Sequence, residues 1–160
     1  MVELRHRQRV REKEAKRLSA EVSAYLGCEV SFHSFPLDVA EFGELKVLLH
    51  AQRAVGLFVN GVAFPSLRAL QELKPEKKFV EVDSGAVKFL VNGADVMKPG
   101  IAACDSGIRE GDVVWVREAA HKKAIVVGIA LEDGEKLGNR EKGKGVKTVH
   151  WVGDKLWEMW

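Results

Sequence analysis

Two chain-stopping pairs, Asn92-Gly93 and Pro99-Gly100, stand close together inside residues 82–101, and they constrain this sequence more than any other feature. Ahead of the first pair, Val87, Leu90 and Val91 recur at spacings of three and four, the period of a helix face. Asp83 or Ser84 can accept from the free amides at its start. Glycine at position 93 tolerates the left-handed backbone on which helices often end. Pro99-Gly100 then forces a second turn and removes an amide donor. The stretch therefore reads as a short helix held between two extended segments, with a glycine-lined corner flanked by Asp95 and Lys98. Such a corner lets a flat or phosphate-bearing ligand approach the main chain; a compact structural turn meets the same pattern.

The 160 residues allow one domain or two small ones, and 46% of them are hydrophobic, enough for a real core. The net charge of +2 is small, but its distribution is uneven. Arg5, Arg7, Arg9, Arg11, Lys13, Lys16 and Arg17 form one basic segment, and Lys136, Arg140, Lys142, Lys144 and Lys147 another. Paired basic segments are a footprint of nucleic-acid binders, and they also fit a solvated helix face and a solvated loop. Cys28 and Cys104 lie far apart, which argues against a disulfide framework or a zinc site and for free thiols in a reducing compartment. No apolar run follows the basic start and none approaches a membrane span, so a cytoplasmic protein without membrane contact is expected.

Along the chain, residues 7–26 read as one amphipathic helix through Val10, Leu18, Val22, Tyr25 and Leu26, ended by Gly27. Residues 28–32 alternate as a short strand, 35–37 read as a loop, and 45–49 as a strand. Asn60-Gly61 between residues 55–59 and 62–64 is a type I′ hairpin signal. Pro65 opens a helix over 66–73. The polar, proline-containing residues 74–78 mark a domain boundary. Strands follow at 79–82, 101–105, 113–116, 124–131 and 146–152, the fourth of these central because it is long, apolar and β-branched. A polar loop spans 132–145 with one helical turn near 132–137, and Gly153-Asp154 turns the last strand back. So many short strands with one short helix indicate a small barrel or a mixed sheet that closes on itself.

Enzymatic signatures are missing. Residues 138–144 imitate a phosphate loop, but Gly145 stands where Ser or Thr would hold magnesium, and residues 146–149 read as strand where the motif needs a helix. A flexible basic loop remains, able to touch phosphates. His6, His33, His50, His121 and His150 show no metal-ligand spacing, and no nucleophile elbow exists. Asp83, Asp95, Asp105 and Asp112 all adjoin turn glycines or helix starts, where capping explains them. Trp115, Trp151 and Trp157 fall inside apolar strands and read as core; Trp160 is left open to a stacking role.

These residues carry a resemblance. Residues 82–101 resemble the signature of the PUA domain, the RNA-binding module named after pseudouridine synthases and archaeosine transglycosylases. Residues 126–130, 143–147 and 150–157 match the rest of that module in order, so that the resemblance covers about 79–160. Residues 59–61 and 65–70 are similar to the region just before the PUA domain in the malignant T-cell-amplified protein and ligatin family of translation factors. The chain looks like a short archaeal relative, without the extended eukaryotic N-terminus or a second initiation-factor-like domain.

The resemblance implies an α+β fold: a small α/β pre-PUA domain over 1–76, then a PUA pseudo-barrel over 77–160, mainly β with a short helix. It implies a non-catalytic RNA-binding protein of translation, with no cofactor and no metal. The RNA would be a tRNA or small-subunit ribosomal RNA, met during initiation or recycling, with the small ribosomal subunit and a translation factor as further partners. Carried onto this sequence, the RNA-binding residues are Lys88, Gly93, Ala94, Asp95, Met97, Lys98 and Gly100, with Lys142, Lys144 and Lys147 beside them. Gly93 and Gly100 would admit close backbone approach, and Lys88, Lys98 and Lys144 would meet phosphates. The alternative is a protein-interaction adaptor of the ribosome or of an RNA-modification complex, with the N-terminal basic segment as the partner face.

Overall fold

The computed structural model describes residues 2–160. The N-terminal basic segment divides into two elements instead of forming one helix. Leu4–Arg9 is a strand (β1), and the helix α1 runs only over Glu12–Leu26. The split follows from the side chains: β1 alternates charged and polar residues with no apolar stripe of helical period, so it gains more as a sheet edge. Arg7 and Arg9 then reach Asp38 on the neighbouring strand at 2.7 and 2.6 Å. Along α1, Ala15, Leu18, Val22 and Leu26 are buried. Lys16 pairs with Glu12 and Arg17 with Glu14 and Glu21 on the solvated face. Gly27, in the left-handed conformation at φ 69°, returns its amide to Ser23 and ends the helix as expected.

Residues 28–32 do not form the expected strand. Two hydroxyls of α1 intercept their backbone: Ser23 Oγ accepts from the Val30 amide at 2.8 Å and Ser19 Oγ from Phe32 at 2.9 Å. The segment crosses α1 and closes in a 3-10 turn, Phe32–Ser34, with the Phe32 ring buried. Leu37–Phe42 (β2), a strand not read from the sequence, comes next. Leu45–His50 (β3), Arg53–Val59 (β4) and Val62–Pro65 (β5) complete an antiparallel meander in the order β1-β2-β3-β4-β5. The β4–β5 turn is the expected one: Val59 faces Val62, and Asn60 and Gly61 both take positive φ, 49° and 77°. Pro65 stays in β5, and Ser66 caps the helix α2, Leu67–Leu73.

A six-stranded sheet follows. Its members are Phe79–Val82 (β6), Val96–Met97 (β7), Ile101–Cys104 (β8), Val113–Glu118 (β9), Ala124–Ala130 (β10) and Lys144–Trp151 (β11). Their order is β7-β11-β10-β9-β6-β8, antiparallel except for β6 beside β9. The two edge strands, β7 and β8, are joined by a single 3-10 turn, Lys98–Gly100. Edges so tethered force the sheet to curl back on itself, which is the pseudo-barrel. The Pro99-Gly100 corner is the seam of that barrel. Short helices α3 (Val87–Leu90) and α4 (Gly134–Leu137) lie in the β6–β7 and β10–β11 connections.

The two sheets fall on either side of residues 74–78, yet they share apolar packing. Val113, Trp115, Ala124, Val127 and Leu156 join the core built by α1, α2 and β2–β5. A second core of Val80, Val82, Leu90, Val96, Ile101, Val114, Val116 and Val146 fills the barrel. Trp115 Nε1 donates to the Lys77 carbonyl at 2.9 Å and Tyr25 Oη to that of Val113 at 2.7 Å.

Candidate nucleic-acid interface

The corner begins where β6 ends. The Asp83 amide donates to the Gly100 carbonyl at 2.9 Å, closing residues 83–100 into a loop tied at its base. A 3-10 turn, Ser84–Ala86, precedes α3. Neither Asp83 nor Ser84 caps it by side chain, contrary to expectation. The Asp83 carboxylate instead takes Arg140 Nη2 at 2.8 Å, fastening the basic loop after α4 to the start of the corner. Such a short helix exposes its first amides to solvent, and the ion pair offers the carboxylate a stronger partner.

Gly93 stops α3 with φ 88°, and Leu90 and Phe89 accept the amides of Gly93 and Ala94. A Cβ at position 93 would lie 3.0 Å from Trp151 Cζ2. Glycine is thus required twice, by backbone conformation and by the indole of β11 packed on it. At Gly100 a Cβ would meet only Ala86 at 3.6 Å. The protein's own packing therefore accounts for Gly93, and the backbone there faces β11.

Asp95 joins the corner to β11. Its Oδ1 accepts the Thr148 amide at 2.9 Å, its Oδ2 lies 3.1 Å from Lys144 Nζ, and Thr148 Oγ1 donates to the Ala94 carbonyl at 2.8 Å. Burial pushes the Asp95 carboxyl up, but the Thr148 amide and the Lys144 ammonium outweigh it and hold it below the ordinary aspartate range. Beside it Met97 pairs with Lys144 across β7 and β11.

Lys98 is not at the surface. Its side chain is only 6% exposed and its ammonium sits 2.9 Å from Glu132. A Cβ on Gly145 would touch its stem at 3.2 Å, so the missing side chain at 145 is what leaves the lysine room. The expectation that Lys98 meets phosphates directly gives way to a different role: its amide donates to the Gly143 carbonyl at 2.9 Å and its ammonium holds Glu132. Lys98 thereby ties the barrel seam to both ends of the basic loop.

What remains outward is a mixed surface. Lys88, Ala94, Lys142, Lys144 and Lys147 are exposed, with Phe89 at 58% and Met97 at 49%. Among the described residues Lys88, Lys142 and Lys147 have no carboxylate within ion-pair distance, and Lys88 Nζ stands 5.1 Å from the Phe89 ring centroid. Phe89 escapes the sequence reading, although its place off the Val87–Leu90–Val91 stripe already turns it to solvent. The pairings of Arg140 with Asp83 and of Glu132 with Lys98 escape it too, since the partners lie far apart in sequence. The loop over 138–143 leads into β11 at Lys144, a strand where the rejected phosphate-loop motif needs a helix. Among the described residues there is no cluster of metal-ligating side chains and no helix long and apolar enough to cross a membrane.

Comparison with known proteins identifies the family. The PUA domain family matches residues 78–152. A protein of Methanocaldococcus jannaschii is 37% identical over 160 residues, covering 99% of both chains. Translation machinery-associated protein 20 of Schizosaccharomyces pombe is 30% identical over 103 residues, 62% of this chain and 57% of its own length. The chain thus spans a little over half of that eukaryotic relative. The crystal structure of a hypothetical protein from Pyrococcus horikoshii superposes with a TM-score of 0.80 at 31% identity, covering 95% of this chain and 98% of that one. The chain belongs to the PUA-domain proteins, and its homologues include the translation machinery-associated and malignant T-cell-amplified proteins.

Proposed function

We propose that this is a non-catalytic RNA-binding protein of the translation apparatus, reading a tRNA or small-subunit ribosomal RNA during initiation or recycling. The observation that carries the proposal is the surface beside the barrel seam. Lysines without carboxylate partners among the described residues (Lys88, Lys142, Lys147) are exposed there, with Lys88 beside the exposed Phe89 ring and Lys144 opposite the exposed Met97. Cations supply attraction to phosphates and the ring a stacking platform for an unpaired base, the combination by which proteins hold single-stranded ends and loops of RNA. The RNA-binding character of PUA modules and the eukaryotic relatives associated with the translation machinery support the same reading.

Ala94 and Gly100 complete the proposed contact surface as close-approach positions. Gly93, Asp95 and Lys98 act from beneath it, fixing the corner on which the exposed groups stand. On this reading residues 1–76 are a pre-PUA unit and 77–160 the PUA unit, in a cytoplasmic protein whose further partners are the small subunit and a translation factor.

The test is the salt dependence of binding to unfractionated tRNA and to small-subunit ribosomal RNA. Lys144→Glu with Lys147→Glu should weaken binding and reduce the slope of log K against log salt by about 0.7 or more per lost phosphate contact. An unchanged slope removes these lysines from the site. Capture of ribosomal proteins with no RNA after nuclease treatment would favour the adaptor reading.

A further inference from the structure

A second surface, on the N-terminal sheet, has the chemistry of a single-strand groove. Two hollows of about 710 and 390 Å³ lie on either side of the Phe35-Pro36 wall, and both are lined by Arg9, Ser34 and Phe35. Phe35 is 65% exposed, the most exposed large apolar side chain described. Its ring meets that of His50 edge-on at 5.5 Å, and His50 is fixed in turn by a 2.7 Å hydrogen bond from Nε2 to the Phe32 carbonyl. Trp160, 40% exposed, also lines the larger hollow. The chain beside it is pinned, because the Ala54 amide donates to the Met159 carbonyl at 2.7 Å. The Arg53 guanidinium lies 5.7 Å from the Trp160 ring.

Arginines line the same hollows as these rings. Arg53 lines the larger hollow and Arg11 the smaller, and neither has a carboxylate partner among the described residues. Of the acids lining the hollows, Asp38 is neutralised by Arg7 and Arg9 and Glu12 pairs with Lys16, which leaves Glu72 in the larger hollow. Exposed aromatic rings beside guanidiniums without carboxylate partners are the physical requirement for holding a nucleic-acid strand without reading its sequence. We infer that this groove binds single-stranded RNA, with bases stacking on Phe35 and Trp160 and phosphates meeting Arg11 and Arg53. This site is separate from the barrel-seam surface and does not depend on it. An acidic peptide would use the arginines but has no need of two ring platforms.

The experiment uses the full chain and fluorescein-labelled hexauridylate, whose unstacked bases are free to engage rings. Phe35→Ala removes an exposed ring and leaves the fold intact. It should weaken binding about tenfold or more, in line with the loss of one stacked base. Arg53→Glu should weaken binding and flatten its salt dependence. Trp160 fluorescence should change on titration, while Lys144→Glu at the barrel seam should leave the hexauridylate affinity within twofold. Full affinity in both Phe35→Ala and Arg53→Glu overturns the inference, as does displacement of nothing but a labelled hexaglutamate. Loss of hexauridylate binding only in the Lys144→Glu variant places the strand at the seam and also overturns it.

Discussion

The Nε2 atom of His150 accepts the backbone amide of Leu67 at 3.2 Å, joining the last barrel strand to the first turn of α2. That amide is one of the donors a helix start cannot satisfy internally, and Ser66 covers only the one at Ala69. Because an amide can only donate, the imidazole proton must sit on Nδ1, where it is given to Asp154 Oδ2 at 2.7 Å. His150 is 1% exposed, so both bonds are shielded from water. His150→Phe should destabilise the protein by about 2–4 kcal/mol, since each buried group left unpaired costs about 1–3 kcal/mol. Urea unfolding measures this. His150→Gln, which keeps an acceptor near the Nε2 position, should recover part of the loss, and equal losses in the two variants would show that Leu67 contributes nothing.

Asp154 gives the same junction a pH dependence. Burial pushes its carboxyl up, but the hydrogen bonds from His150 and from the Trp151 and Trp157 amides outweigh burial and hold it below the ordinary aspartate value. The unfolded chain therefore takes up this proton first as the solution is acidified. The stabilisation is complete above the ordinary aspartate range and is lost as pH falls through the lower, folded value. Asp154→Asn should be less stable than the parent at pH 7, with the gap narrowing below about pH 4. Urea midpoints from pH 7 to pH 2 check this; a gap that stays constant with pH would exclude the carboxylate charge as its source.

Lys98 separates support from contact. Replacing it with Met keeps the stem that fills the space beside Gly145 and removes only the charge facing Glu132. Glu132 is one-third exposed and can rehydrate, so Lys98→Met should cost little, about 1 kcal/mol or less. It should also leave RNA affinity within about threefold. Lys98→Glu sets two carboxylates against each other in a buried seam and should cost about 3–5 kcal/mol. Thermal denaturation and RNA titration on both variants decide the matter. A stable Lys98→Met that loses RNA binding tenfold would return this lysine to the phosphate-binding set.

How much of this was legible in the sequence depends on whether a signal was local. The Asn60-Gly61 turn, the Gly27 stop, β3, β6 and the central β10 rest on neighbouring residues, and each forms as read. The failures sit where a distant group decides. Residues 28–32 alternate like a strand, but the hydroxyls of Ser19 and Ser23 take their amides. Residues 7–11 read as part of the helix only through Val10, and Asp38 draws Arg7 and Arg9 into a sheet edge. At the site, the corner was visible through its glycine and proline, whereas the burial of Lys98 depends on Glu132 and Gly145, which no local spacing reveals.

Gly93 tests whether the corner is architecture. Alanine there must adopt φ near 88°, costing about 1–2 kcal/mol. It must also place a Cβ 3.0 Å from the Trp151 ring. Gly93→Ala should lower stability by about 2–3 kcal/mol and alter the near-ultraviolet circular dichroism as the indole shifts. A variant of unchanged stability with a tenfold loss of RNA affinity would show that the glycine serves ligand approach instead.

Phe89 gives the most direct reading of the proposed interface, because its ring contributes little to the fold. It projects from α3 at 58% exposure while Leu90 beside it is buried. Apart from Lys88, 5.1 Å from its centroid, it makes no ring or cation contact among the described residues. Removing an exposed ring changes stability by about 0.5 kcal/mol or less. If an unpaired base stacks there, Phe89→Ala should cost about 1–3 kcal/mol of RNA binding with the salt slope unchanged, since no phosphate contact is lost. Phe89→Tyr should restore most of it, because the π-face and not the residue identity is what stacks. Equal affinity of Phe89→Ala and the parent for every RNA tested would leave the lysines as the sole contacts and make the surface a purely electrostatic one.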